Sequence, residues 1–212
     1  MVVRVPPRPA SGRPVRRCHS LLRLSAAIDR LNERVGSAVR WLILLAVVIS
    51  AGNALVRYLF STSSNAWLEL QWYLFAAVFL LCAGYTLLRN EHVRIDVIFD
   101  HLSHGTRAWI DIVGTLLFLF PYALLIIWFA WPLFVESFAR GELSADAGGL
   151  IRWPVKLLIP TGFLLLLLQG ISELIKRIAF LQGRLDDPYA HPGDHGGKSL
   201  VLDPFRDNGT AR

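Results

Sequence analysis

The chain has 212 residues, of which 54% are apolar and only 18% charged, and its formal net charge is +6. Soluble domains run at about 25% charged, so this deficit, with a positive mean hydropathy and seven tryptophans, excludes an ordinary soluble domain and points to a membrane protein. The positive charge sits beside apolar segments, which is the pattern of membrane flanks and not of a nucleic-acid surface; Cys18, in an arginine-rich stretch, and Cys82, in an apolar run, imply no disulfide framework.

Residues 1–19 form a basic tail with four prolines before position 15, and the composition predicts disorder there. Residues 20–39 are charged but patterned. Leu21, Leu24, Ile28, Leu31, Val35 and Val39 recur at steps of three and four, while Arg23, Arg30, Glu33 and Arg34 fall mostly elsewhere around the wheel. The segment reads as an amphipathic helix in the cytoplasmic interface of the membrane, or else as a helix packed on a soluble partner. Four runs long enough to cross a bilayer follow, at about 41–60, 68–88, 109–133 and 154–176, each near the ~20 residues a spanning helix needs. The third carries Pro121, a candidate kink, and the fourth opens on Pro154, which suits a first helical turn. Residues 181–212, rich in Gly, Asp and Pro, read as a polar cytoplasmic extension. The fold class predicted is therefore an all-α membrane protein of four transmembrane helices preceded by an interfacial helix.

Lys and Arg set the orientation. Nine arginines precede the first span, three lie in the 89–108 connector and six Lys or Arg follow the middle of the last span, against Arg57, Arg140, Arg152 and Lys156 on the opposite side. Eighteen against four predicts both termini in the cytoplasm. Trp41, Trp67, Trp109, Trp128, Trp131 and Trp153 all fall near span ends, as an aromatic belt does.

The connector "NEHVRIDVIFDHLSH", residues 90–104, packs three histidines and two aspartates into fifteen residues. It reads either as a metal or proton site or as a short amphipathic joint at the interface, with His92, Asp96, Asp100 and Ser103 on the polar stripe. A metal would need further ligands from elsewhere. None of the six histidines lies in a predicted span, so the chain lacks the core histidines that a haem-ligating anchor subunit requires. Arg57 closes the first span and Glu69 opens the second across an uncharged turn. The two are readable as an ion or proton path, or as an interfacial pair that fixes the hairpin or contacts a partner. Asp111, Glu136 and Glu173 also stand at span ends, and Asn53 and Gln169 are polar inside spans, candidates for interhelix hydrogen bonds. No nucleophile motif, phosphate loop or Cys/His metal spacing supports an enzyme, a cofactor or a metal centre. So few buried polar groups make a poor solitary transporter, because a substrate site needs convergent polar groups near the midplane.

"NALVRYLF" (53–60), "NAWLELQWYLF" (65–75) and "RNEHVRIDVIFDHLS" (89–103), with "GGLIRWPVKLLIPTGFLLLLLQGISELIKRI" (148–178), resemble the small membrane subunit, of DctQ type, of tripartite ATP-independent periplasmic (TRAP) transporters. Arg57, Tyr58, Trp67, Glu69, His92 and Asp96 match that family's pattern in order and spacing, and the later stretch looks like the branch labelled mannitol/chloroaromatic. Cys82 departs from it, standing where the family carries a glycine, which bears on packing of the second span. The resemblance implies an inner-membrane protein that braces a large Na+-coupled carrier subunit, for uptake of an organic acid or related solute delivered by a periplasmic binding protein, without binding the substrate itself. The alternative is a self-sufficient channel or ion exchanger using Arg57 and Glu69. The connector 136–153, with Arg140, Glu142 and Asp146, is expected to touch the binding protein or to pack over the carrier's rim. Charge reversal at Arg57 or Glu69 is expected to impair assembly more than substrate affinity.

Overall fold

The computed structural model describes residues 16–61, 64–89 and 103–183. These form helix α1 (Arg16–Phe60), α2 (Asn65–Leu88), α3 (His104–Gly114), a π-helical turn (Thr115–Leu119), α4 (Phe120–Arg140) and α5 (Trp153–Leu181). α3, the π turn and α4 run on as one span, so four stretches are long and apolar enough to cross a membrane: Leu21–Phe60, Asn65–Leu88, Gly105–Arg140 and Trp153–Leu181. The described chain is all-helical apart from one isolated bridge between Leu143 and Ile151, in agreement with the fold class expected. His92, Asp96 and the rest of the amphipathic joint up to residue 102, and the polar extension after residue 183, lie outside the described residues.

The segment 20–39 is not a separate element. It is the first half of α1, which begins at Arg16, inside the stretch expected to be tail. At ~1.5 Å per residue a helix of 45 residues is about 68 Å long, roughly twice the thickness of the hydrocarbon core. Half of it must therefore project beyond the bilayer. The face it buries takes in only part of the apolar stripe: Ile28 and Val39 are buried, with Ser25 and Asn32 beside them, while Leu21, Leu24 and Leu31 remain exposed. What that face packs against is α5, the helix that lies at the centre of the bundle. In α5, 44% of the apolar window is buried, against 11–17% in the other three spans; it touches α1, α2, α3 and α4.

Close approach at the centre is permitted by glycine, as expected where lipid leaves van der Waals packing to hold helices together. Gly162 of α5 lies against the Leu80 backbone of α2, where an added Cβ would stand 2.6 Å from the Leu80 carbonyl oxygen. Gly84 of α2 faces Asn32 of α1, and Gly36 of α1 lies under the Tyr85 ring. Pro121 takes the form of the π turn: Phe120 N–H donates to the Thr115 carbonyl, five residues back, just before the residue that has no N–H to give. Pro132 and Pro160 sit inside α4 and α5, and Pro154 occupies the first turn of α5 as expected. Aromatic rings stitch α4 to the start of α5, with Trp153 edge-on to Phe138 at 5.4 Å and to Phe134 at 6.5 Å.

Gly162→Ala is expected to destabilise the subunit by roughly 1–3 kcal/mol, since the backbone of α2 must move to admit the methyl. Gly105→Ala, where a Cβ meets open space, is the control and should leave stability unchanged or slightly raised. Thermal unfolding of the detergent-purified subunit measures both, and equal melting of the two variants would refute the tight α2–α5 seam.

Candidate functional site

Two polar constellations stand at opposite ends of the bundle. The first is at the end where α1 turns into α2 and α4 into α5. α4 stops at Gly141, which adopts φ 58°; its N–H donates to the Phe138 carbonyl and the next N–H, of Glu142, donates to Ser137, a Schellman stop. The connector then doubles back on itself. Ser144 N–H donates to the Leu150 carbonyl at 3.0 Å, Arg152 N–H to the Glu142 carbonyl at 2.9 Å, and Gly149 N–H to the Asp146 carbonyl at 3.0 Å. A two-rung hairpin of this size is marginal in water by itself. It is held by three side chains of α2. Glu69 accepts from Leu150 N–H at 2.6 Å with one oxygen and from the Ser144 hydroxyl with the other. Asn65 Nδ2 donates to the Ala147 carbonyl at 3.1 Å, and the Tyr73 hydroxyl donates to the Ile151 carbonyl at 3.2 Å. Gly149 is required here, because a Cβ would meet Ser144 Cβ at 2.4 Å and Glu69 Oε1 at 2.8 Å. Within the connector, Glu142 receives Lys156 Nζ and stands 3.8 Å from Arg152. The hydrogen bond from Lys156, reinforced by the charges of Lys156 and Arg152, holds the Glu142 carboxyl below its ordinary value of 4.5.

The second constellation joins the projecting half of α1 to the last turns of α5. Gln169, fully buried, accepts from Asn32 Nδ2 at 2.9 Å and donates to Asp29 Oδ1 at 3.0 Å. The Ser172 hydroxyl lies 2.7 Å from Asp29 Oδ1 and 2.7 Å from the Ser25 hydroxyl. Lys176 Nζ bridges Asp29 at 2.8 Å and Glu173 at 2.9 Å. Arg177, only 4% exposed, pairs with Asp111 of α3 at 3.0 Å and with Glu173 at 3.3 Å. At the same end Arg89 bridges Glu33 at 3.1 Å, an exposed pair worth about 0–1 kcal/mol.

Measured against the residues singled out from the sequence, the structure separates Arg57 from Glu69. Glu69 is taken up by the connector, and among the described residues Arg57 forms no ion pair with it. Arg57 and Tyr58 are exposed on the last turn of α1, and Trp67 is exposed at the start of α2. Arg140 is exposed and pairs with Glu136 one turn back at 2.6 Å; Asp146 is exposed at the hairpin tip. Glu142, expected with them as an outward contact, is turned inward onto Lys156. Gln169 makes the interhelix bonds expected of it, whereas Asn53 makes none among the described residues and lines a cavity between α1 and α2. The residues that sequence reasoning passed over are Ser25, Asp29, Asn32, Ser172, Lys176 and Arg177. Their signal is in the spacing: Ser25, Asp29 and Asn32 follow one another at steps of four and three along α1, and Ser172 and Lys176 at a step of four along α5. Among the described residues no group of three or more His, Cys, Asp or Glu is placed to hold a metal ion. The arrangement is one of fastening, with every ion pair among the described residues at one or other end.

Residues 46–180, well over half the chain, match the family model for the DctQ component of tripartite ATP-independent periplasmic transporters. Comparison with curated proteins and with solved structures returned no match.

Glu69→Leu removes the acceptor for Leu150 N–H and is expected to raise amide exchange across residues 144–151 by one to two orders of magnitude, consistent with about 1.5–3 kcal/mol for a hydrogen bond to a charged group. Glu69→Gln keeps one acceptor oxygen and should fall between that variant and the unaltered chain. Exchange followed by mass spectrometry decides it, and unaltered exchange in Glu69→Leu would refute the clamp. A pH effect follows from Glu142. Its pKa is lowered on folding, so its contribution is in place above the ordinary carboxylate value and is lost as pH falls through the lowered one. Protection of the connector should hold from pH 7 to about 5 and weaken below ~4, and Glu142→Gln should diminish that acid step, what remains belonging to the Glu69 clamp.

Proposed function

The chain belongs to the family of DctQ components of tripartite ATP-independent periplasmic transporters, and from that premise we propose that it acts as a static brace for the large carrier subunit. Membership makes it the small membrane subunit of a three-part transporter of the inner membrane, working with a large membrane subunit and a periplasmic binding protein. In the finer reading, the large subunit moves an organic acid or related solute together with Na+. This chain holds the part of the carrier that stays still and widens the surface on which the binding protein lands.

The observation that carries the reading is the confinement of ion pairs to the two ends, with a glycine-packed seam between α2 and α5 in the middle. A carrier needs convergent polar groups near the midplane and an element free to move; a brace needs the opposite. The Lys and Arg bias puts the α1–α5 network in the cytoplasm and the clamp in the periplasm. There Arg140 and Asp146, both exposed, are the connector side chains offered to the binding protein. Leu21, Leu24 and Leu31, exposed on the projecting half of α1, suit contact with the membrane interface. An ion relay between Arg57 and Glu69 is disfavoured because both Glu69 oxygens are engaged by Ser144 and Leu150.

Proteoliposomes test the brace directly. This chain alone should give no flux; both membrane subunits with the binding protein should give uptake that requires a Na+ gradient. Ion or solute flux through the chain alone would overturn the reading.

A further inference from the structure

A groove runs between α1 and α2 at the clamp end, about 540 Å³ in volume and lined by Ser50, Asn53, Arg57, Tyr58 and Gln71 among others. Asn53 also lines a second, more apolar cavity of about 570 Å³, bounded by Val48, Ile49, Gly52, Val56 and Trp67. Ser50, Asn53 and Arg57 follow one another at steps of three and four, so they share one face of α1, and Gln71 faces them from α2. Among the described residues none of these four side chains makes a hydrogen bond or ion pair. The stripe from Ser50 to Arg57 covers eight residues, roughly 10 Å along the helix. It starts at the rim and enters the hydrocarbon, where an unmet polar group is costly. At the same end of the bundle, Glu69 and Tyr73 of α2 are both bonded.

We propose that this groove is the seat for a transmembrane helix of the large subunit, one that carries a carboxylate opposite Arg57 and hydrogen-bonding side chains opposite Asn53, Ser50 and Gln71. The inference deepens the brace reading and rests on it, by naming the face through which the brace is attached. Other occupants fit less well. A phospholipid phosphate satisfies Arg57 at the rim, but its acyl chains offer nothing to Ser50, Asn53 or Gln71 below. A second copy in two-fold contact brings Arg57 towards its own counterpart and leaves both cations unmatched. A transmembrane helix supplies an anion at the rim and donors and acceptors beneath it.

The test is assembly of the complex from co-expressed subunits. The triple variant Asn53→Leu, Arg57→Leu, Gln71→Leu should lower the amount of large subunit that co-purifies by at least tenfold. The isolated small subunit should melt at an unchanged temperature, because those side chains bond nothing among the described residues. Trp128→Leu, on the exposed side of α4, should leave co-purification intact. If the unaltered small subunit fails to capture the large one, the brace reading itself falls. If the unaltered chain captures it and the triple variant does so equally well, or the Trp128 variant loses it equally, only the groove assignment falls. Should the triple variant fold poorly, a photo-crosslinking residue placed singly at Ser50 decides the matter. An adduct with the large subunit supports the proposal; adducts confined to lipid or to a second copy overturn it.

Discussion

Inside hydrocarbon there is no water to satisfy a polar group, so each one must be met by protein or carried to the interface. That constraint arranges this chain. Its ionic and hydrogen-bonded contacts gather at the two ends of the bundle, around Glu69 at one and around Gln169, Asp29 and Arg177 at the other. Between them the helices are brought together by small residues, with Gly162 against Leu80 and Gly84 against Asn32. Among the described residues the helices are thus fastened by polar contacts at both ends and by close packing in the middle.

The lengths of α1 and α5 follow from the same constraint. A network with Asp29, Glu173, Lys176 and Arg177 cannot be built at membrane depth without a large desolvation cost. α1 therefore continues far beyond its span, and α5 outlasts its own to meet it. The partly exposed Lys176 and Asp29 remain open to solvent at the edge of this network, while Arg177 and Glu173, almost fully buried, pair with each other and with Asp111. At the other end the connector from 141 to 152 would be an unsupported loop but for α2, whose first three turns supply Asn65, Glu69 and Tyr73 to its backbone. A fixed platform at that end and a fixed foot at the other suit a subunit against which a carrier moves.

The sequence and the structure agree where a single helix decides the outcome. Span number, the helical class, Pro154 in a first turn and a disturbance at Pro121 follow from hydrophobic length and from proline's missing N–H, both properties of residues close together in the chain. The Trp-x-Glu at 67–69 was legible as a motif, and so was the likeness to the DctQ component, because residue order carries it. What Glu69 bonds was not legible. Arg57 is its neighbour across a short turn, and proximity along the chain suggested that pair; the partners it has are Ser144 and Leu150, brought there by the fold-back of the connector.

The interfacial helix shows the same division. From periodicity, residues 20–39 have an apolar stripe and a polar remainder, and that much the amino acids determined alone. Which side is buried depended on what stood opposite, and opposite stood Gln169, Ser172 and Glu173 of α5. A polar face opposed by matching donors and acceptors is buried at little cost, so Ser25 and Asn32 are buried together with Ile28 and Val39, while Leu21, Leu24 and Leu31 stay exposed. Composition and order thus determined that the chain spans a membrane four times and to which family it belongs; only the packing of α1 and α2 on α5 decided which polar groups would meet and which would line a groove unbonded among the described residues.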